Sequence, residues 1–213
     1  NAVDLGSLHS VAALLAQECG CTVVTYDYSG YGESTGSPSE LETYRDIDAV
    51  YEYVKSTGLV DDPARDLVLV GESIGSGPAI WLSSRRAVAG VILQAAIASG
   101  LRVLTENRLL CGCDIFPNID RIARVTCPVF VIHGTEDRNV RLDHGQRLHA
   151  RLHGAAARYP PWWVEGAGHN NIQESRTEDY LRRVREFLTF LDGDATVAGG
   201  NVGSGGGGGG GGG

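Results

Sequence analysis

The sequence predicts an α/β fold, in which a mostly parallel sheet is covered by helices on both faces. Short apolar runs alternate with amphipathic helical stretches along the chain, which is the pattern of strand-helix-strand units. The chain has 213 residues, of which 42% are hydrophobic and 21% charged, typical of one globular domain with a sizeable core. A second folded domain is not required.

Five runs are predicted to be strands because each is apolar and rich in valine, isoleucine or aromatic residues. They are Thr22–Tyr26, Leu67–Val70, Gly90–Gln94, Val129–His133 and Trp162–Glu165. The segments between them carry helical patterns. The predicted helices are Leu8–Glu18, Ser39–Ser56, Ile74–Ala87, Asp143–Leu152 and Ser175–Leu191.

The second helix has a chemical start signal as well as a periodic pattern. Ser39 is the candidate N-cap, and Glu42 stands three residues later, where a capping box needs a glutamate. Apolar residues then recur every three or four positions, so we expect one buried face. Its members are Leu41, Tyr44, Ile47, Val50, Tyr51 and Val54.

Two other segments are not predicted to be regular helices or strands. The last helix is expected to end at Asp192-Gly193, so that residues 1–191 form the folded domain and residues 192–213 a disordered glycine-rich tail. Ala98–Arg124 is interpreted as an insertion above the strand ends, a common place for a substrate pocket.

Composition argues against several classes of function. The net charge of −8 lacks the basic surface that a nucleic-acid partner requires. The longest apolar runs, such as Val88–Ile97, are about half as long as a membrane-crossing helix. The five cysteines fit a reducing compartment, and neither they nor the histidines have metal-ligand spacing, so no metal and no cofactor are predicted.

The most informative motif is the pentapeptide Gly71-Glu72-Ser73-Ile74-Gly75. It follows a predicted strand and precedes a predicted helix, the context in which Gly-x-Ser-x-Gly forms a sharp turn that exposes a nucleophilic serine. The glycines are expected because side chains there would collide with the neighbouring strand and helix. Ser73 is therefore the candidate nucleophile, and the Ile74 amide is a candidate oxyanion-hole donor.

A carboxylate and a histidine follow in the order that such a serine needs. Asp137 lies in the loop after the strand Val129–His133, and His169 lies in a glycine-containing loop after the strand Trp162–Glu165. We predict Asp137 as the orienting acid and His169 as the base, while Glu136 is the alternative acid. Of the other histidines, three are interpreted as helix-surface residues and His133 as the polar end of a buried strand. The three are His9, His149 and His153.

With these residues placed, the ordered chain resembles the α/β-hydrolase domain-containing protein 17 family, serine hydrolases known as protein depalmitoylases. The resemblance extends well beyond the pentapeptide. It is carried by residues 1–6, 27–32, 71–75, 99–103, 133–137 and 163–170. It implies an α/β-hydrolase fold and hydrolysis of thioesters on S-acylated protein cysteines, at the cytosolic face of membranes.

The chain departs from that family at three places. Glu72 replaces a usual glutamine, and Gln94-Ala95-Ala96 replaces His-Ser-Pro. The lipidated cysteine cluster that holds relatives on membranes has no counterpart here, so peripheral membrane association would need a segment outside this sequence.

The resemblance also bears on the first residue. In relatives, a strand ending in His-Gly precedes the stretch that begins with Asn1, and the residue after that pair supplies the second oxyanion amide. We therefore expect Asn1 in that role and the first strands of the fold to be missing, with a gap in the sheet. On this basis the 213-residue chain is expected to be inactive and unstable alone.

The triad alone does not specify the acyl group. A general carboxylesterase, a lipase or a serine peptidase remains the alternative within enzymes. A non-catalytic binding protein with the same fold is a second alternative, although all three triad residues are present. A dehalogenase is disfavoured because the elbow carries serine, and a metal-dependent hydrolase because the histidines are not spaced as ligands.

Overall fold

The computed structural model describes residues 5–100 and 115–199. Its sheet has four strands in the spatial order β1-β2-β3-β4, and every neighbouring pair is parallel. The strands are β1 Val68–Glu72, β2 Gly90–Gln94, β3 Val129–Gly134 and β4 Trp162–Val164. The parallel α/β class predicted from the sequence is confirmed.

Helices connect and cover these strands. The longer ones are α1 Leu5–Cys19, α2 Glu40–Ser56, α4 Ser76–Ser83, α6 Leu142–Ala150 and α8 Thr177–Gly199. Three single turns are α3 Pro63–Asp66, α5 Asn118–Arg121 and α7 Ile172–Ser175. Short 3₁₀ turns occupy Ser73–Gly75, Ile122–Arg124 and Gly154–Ala157. Within the described ranges, no helix is both long enough and apolar enough to cross a membrane.

Alternate residues of the central strands face opposite helical layers. Val91 and Val131 belong to the apolar cluster that includes residues of α2, α4 and α6. Ile92 and Phe130 belong to the cluster on the other face, which is built mainly from α8. Both faces of β2 and β3 are therefore buried, which explains why these strands are apolar at nearly every position.

One predicted strand is wrong for the described structure. Residues Thr22–Tyr26 do not form a strand, although the segment is rich in β-branched residues. A strand requires a neighbouring backbone partner, and within residues 5–100 and 115–199 the edge of β1 opposite β2 has none.

Between Thr22–Tyr26 and β1 lies an open, mostly apolar groove of about 510 Å³. Helix α1 lines it with Leu8, and Val24 and Val70 on its two sides are 45% and 55% exposed. The groove lies where the sequence predicts a gap in the sheet.

Three further details differ from the sequence predictions. Strand β1 continues through Glu72, two residues beyond the predicted end. Helix α8 continues past Asp192 to Gly199, so the predicted stop at Asp192-Gly193 is wrong. Leu41 is 55% exposed, because it lies in the first turn of α2, before the buried residues that begin at Thr43. Residues 200–213 lie outside the described ranges, so the tail remains a prediction.

The start of α2 agrees with its predicted cap. The Ser39 hydroxyl oxygen accepts a hydrogen bond from the Glu42 amide at 3.1 Å. The Glu42 carboxylate contacts Arg45 at 2.5 Å. The cap therefore rests on the serine hydroxyl.

Removing that hydroxyl is expected to lower the stability of the chain. Ser39→Ala should reduce the free energy of unfolding by about 1 kcal/mol, because one amide of the first turn loses its partner. Ser39→Asp is the matched control, since it keeps an acceptor at the same position. Urea titration measures both, and equal stability of the two variants would show that the cap contributes nothing.

Candidate active site

The backbone at Ser73 has the strained geometry of a nucleophile elbow. Its φ is +52°, in the left-handed region that residues with a side chain rarely adopt. Ser73 leaves β1, starts the 3₁₀ turn and leads directly into α4. This abrupt change of direction places the Ser73 side chain at the carboxyl end of β1.

Gly71 makes the turn sterically feasible. A Cβ at this position would lie 2.7 Å from the Gly75 carbonyl oxygen and 2.9 Å from the Ser76 Cα. Both are backbone atoms that cannot move without moving the elbow. The first glycine of the motif is therefore required by the close return of the chain upon β1.

A buried polar contact holds the turn against the next strand. The Ser76 hydroxyl donates to the Ser73 carbonyl oxygen at 2.6 Å and accepts from the Ile97 amide at 3.2 Å. The Asn118 side-chain amide donates to the Ile97 carbonyl oxygen at 2.9 Å. The elbow is thus joined to the segment after β2 and to α5.

Three of the predicted site residues come together. The His169 Nδ1 atom lies 2.7 Å from the Asp137 Oδ2, and its Nε2 lies 3.1 Å from the Ser73 Oγ. The carboxylate can only accept, so Nδ1 carries the hydrogen and donates it. Nε2 is then free to accept from the serine hydroxyl, which is the arrangement that general-base catalysis needs.

The environment of Asp137 favours its charged form. Burial would raise the pKa of this carboxyl, but hydrogen bonds from His133, His169 and the Val140 amide together hold the pKa well below its usual range. Its Oδ1 accepts from the amides of Asn139 and Val140 at 2.9 and 2.8 Å. Glu136 is exposed, so the geometry selects Asp137 over Glu136 as the partner of His169.

The pKa of His169 is shifted in the opposite direction. The hydrogen bond to Asp137 raises the pKa of the imidazole, and burial only partly opposes this effect. The charge of Glu72 adds a smaller rise. The protonated imidazole is therefore stabilised, a property that a general base would need.

Of the two predicted oxyanion donors, Ile74 and Asn1, the structure describes only Ile74. Ile74 follows the serine in the 3₁₀ turn that leads into α4, so its amide is adjacent to Ser73. Asn1 lies outside the described residues, and its role stays a prediction. In the described part of the chain, no group of three or more histidine, cysteine, aspartate or glutamate side chains is arranged to hold a metal ion.

The structure adds residues that sequence reasoning missed. Ser76 and Asn118 support the elbow, and His133 lies 3.5 Å from the Asp137 Oδ2. Ser76 and Asn118 belong to no short motif, because each acts through a main-chain contact. The His133-Gly134 pair at the end of a buried strand was the one available signal.

Two family models match the chain. The model described as Alpha/beta hydrolase family matches residues 4–110. The model described as Prolyl oligopeptidase family matches residues 113–194. The first therefore covers the elbow, and the second covers Asp137 and His169.

The resemblance named from the sequence is confirmed by curated relatives. The mouse (Mus musculus) protein called Alpha/beta hydrolase domain-containing protein 17C is 43% identical over 190 residues, 89% of this chain and 57% of the relative. The Caenorhabditis elegans protein called Alpha/beta hydrolase domain-containing protein aho-3 is 41% identical over 88% of this chain and 55% of its own length. The chain thus spans a little over half the length of these relatives.

Solved structures support the fold. The monoacylglycerol lipase of Paleococcus ferrophilus superposes with a TM-score of 0.68 and 18% sequence identity, covering 89% of this chain and 91% of the lipase. At this identity the likeness concerns the arrangement of the backbone.

A methyl group at Gly71 should disrupt the elbow. Gly71→Ala is expected to lower the free energy of unfolding by about 1–3 kcal/mol, because its Cβ meets backbone atoms. Gly193→Ala in α8 is the matched control, since a Cβ there meets nothing within 4 Å. Denaturant unfolding compares the two, and equal stability would contradict the close approach at Gly71.

The charge of Asp137 should set the titration of His169. Asp137→Asn keeps an acceptor for Nδ1 but removes the negative charge, so the pKa of His169 should fall. Glu136→Gln, the neighbouring change, should leave that pKa unaltered. Histidine-ring NMR spectra recorded over a pH series measure both, and a shift in the Glu136 variant alone would reverse the assignment of the acid.

Proposed function

The chain belongs to the alpha/beta hydrolase family, and we propose that the protein carrying it is a serine hydrolase that cleaves acyl thioesters. The observation that carries this proposal is the contact sequence Ser73–His169–Asp137, with distances of 3.1 and 2.7 Å. The proposed substrates are S-acylated proteins, with palmitoyl groups on their cysteines, at the cytosolic face of membranes. No cofactor enters the mechanism.

In the first half-reaction, Ser73 Oγ attacks the acyl carbonyl carbon while His169 Nε2 takes the hydroxyl proton. Asp137 holds the imidazole in the Nδ1–H tautomer and stabilises the imidazolium that forms. The Ile74 amide is proposed to donate to the oxyanion of the tetrahedral intermediate. Collapse of that intermediate breaks the carbon–sulfur bond, and the thiol leaves with the proton from His169.

In the second half-reaction, water attacks the acyl-Ser73 ester. His169 takes a proton from the water, and collapse of the new intermediate returns that proton to Ser73 Oγ. The acyl group leaves as a carboxylic acid. The site is then regenerated with no change in charge or redox state.

Two considerations support a thioester. The resemblance to the α/β-hydrolase domain-containing protein 17 family extends along 89% of the chain at 43% identity. A thiol is also more acidic than an alcohol, so it is a better leaving group and depends less on complete proton transfer.

Oxyesters and peptides are the competing substrates. The match of residues 113–194 to the prolyl oligopeptidase family favours a peptidase as the second candidate, because that region supplies both Asp137 and His169. Leaving-group preference separates these activities, since they share the triad.

The decisive experiment compares matched palmitoyl thioester, oxyester and peptide substrates with the longer protein that contains this chain. Thioester hydrolysis should be fastest. Ser73→Ala should lower it by at least about 10⁴-fold and abolish labelling by a fluorophosphonate probe. Ser84→Ala, at the far end of α4 where the hydroxyl donates to the Trp81 carbonyl oxygen, keeps Ser73 and the elbow and is the control for labelling. Equal labelling of wild type and Ser73→Ala would remove Ser73 from the mechanism, and faster oxyester or peptide cleavage would overturn the thioester proposal.

A further inference from the structure

His133 is a second histidine beside the Asp137 carboxylate. It lies near the carboxyl end of β3 and is fully buried. Its Nε2 is 3.5 Å from the Asp137 Oδ2, the same oxygen that accepts from His169. The triad mechanism does not use this imidazole.

Hydrogen bonding assigns its tautomer. Nε2 lies 2.8 Å from the Val140 carbonyl oxygen, which can only accept, so Nε2 carries the hydrogen. Nδ1 is buried and has no hydrogen-bond partner within the described ranges. A Cβ on Gly145 of α6 would lie 2.7 Å from Nδ1, so the ring fits closely against the backbone of that helix. The ring is therefore confined to one orientation.

Val140 connects this ring to the acid. Its carbonyl oxygen accepts from His133, and its amide donates to the Asp137 Oδ1 at 2.8 Å. The Asn139 amide donates to the same oxygen at 2.9 Å. The loop therefore holds Oδ1 from one side, which turns Oδ2 toward His169.

We propose that His133 is a positioning residue for the hydrolytic reaction: by fixing the Val140 peptide it keeps the Asp137 carboxylate aimed at His169. This inference rests on the proposed function only for its effect on catalysis. The effect on His169 itself follows from the contacts and is measurable without turnover.

Two effects of His133 on Asp137 oppose each other. The contact at 3.5 Å to Oδ2 draws charge away from His169, whereas the bond at 2.8 Å to Val140 orders the loop that aims the carboxylate. The shorter bond is well within hydrogen-bond range and the longer contact is at its limit, so we expect the positioning effect to be the larger one. Removal of the ring should therefore weaken the interaction between Asp137 and His169.

The described residues place three groups at His169. Asp137 and Ser73 contact its two ring nitrogens, and Glu72 at the end of β1 contributes a further charge. His133 is packed against Gly145 of α6, a residue without an ionisable side chain. The ionisable residues of that helix are Asp143, His144, Arg147 and His149. A change in the titration of His169 on substitution of His133 thus reports on Asp137.

The test is a pH series of histidine-ring NMR spectra of the protein and its variants. His133→Leu should lower the pKa of His169, and His133→Gln, whose side-chain amide can donate to Val140, should restore it. His144→Leu removes another buried imidazole, carried by α6, and should leave the pKa of His169 in place. Parallel kinetics should show kcat/KM about tenfold lower in His133→Leu, the size expected for one neutral hydrogen bond.

An unchanged or higher pKa of His169 in folded His133→Leu would overturn the proposal. If that variant does not fold, the wild-type ring decides: nitrogen-15 spectra must show His133 protonated on Nε2 alone, and protonation on Nδ1 would overturn the proposal. Normal hydrolysis by the Ser73→Ala variant would refute the proposed function. The NMR result would stand independently of that outcome.

Discussion

The parallel pairing of the four strands is the constraint that brings the site residues together. Because β1, β3 and β4 run the same way in one sheet, the loops after them open at the same edge. Residues that are 96 and 32 positions apart in sequence therefore meet at 3.1 and 2.7 Å. The registers leave little freedom, since both faces of the central strands are packed against helices.

Ser73 needs a second level of support, because a serine with a positive φ is unfavourable by itself. Gly71 leaves room for the turn, and the Ser76 hydroxyl joins it to the backbone after β2. The acid is supported similarly, by amides of its own loop and by a buried imidazole. In both cases the side chain contacts His169, while the backbone nearby is fixed by other hydrogen bonds.

Sequence reasoning succeeded where an element is determined by local hydrogen bonds or by burial of nearly all its residues. Strand β2 has the predicted bounds because five consecutive residues are buried, and α2 begins after its predicted cap because Ser39 bonds within its own turn. Ser73, Asp137 and His169 could be found from their order and from the strands before them. Their contacts are in the structure, whereas their catalytic roles remain proposals.

The failures concern interactions with distant partners. Thr22–Tyr26 has strand-forming residues, but pairing depends on a neighbour that local sequence does not show. Leu41 fits the helical period, yet the core does not reach the first turn of α2. The link from His133 through Val140 could not be predicted because one of its groups is a main-chain carbonyl, which every residue possesses.

The groove beside β1 has a consequence for the behaviour of the chain in solution. The edge of a sheet offers rows of backbone donors and acceptors, and here Val24 and Val70 add exposed apolar surface on either side. An edge of this kind is a template for strands of other molecules. We therefore expect aggregation of the chain at high concentration to begin at β1, an apolar surface unlike the polar contacts that order the loop of Asp137.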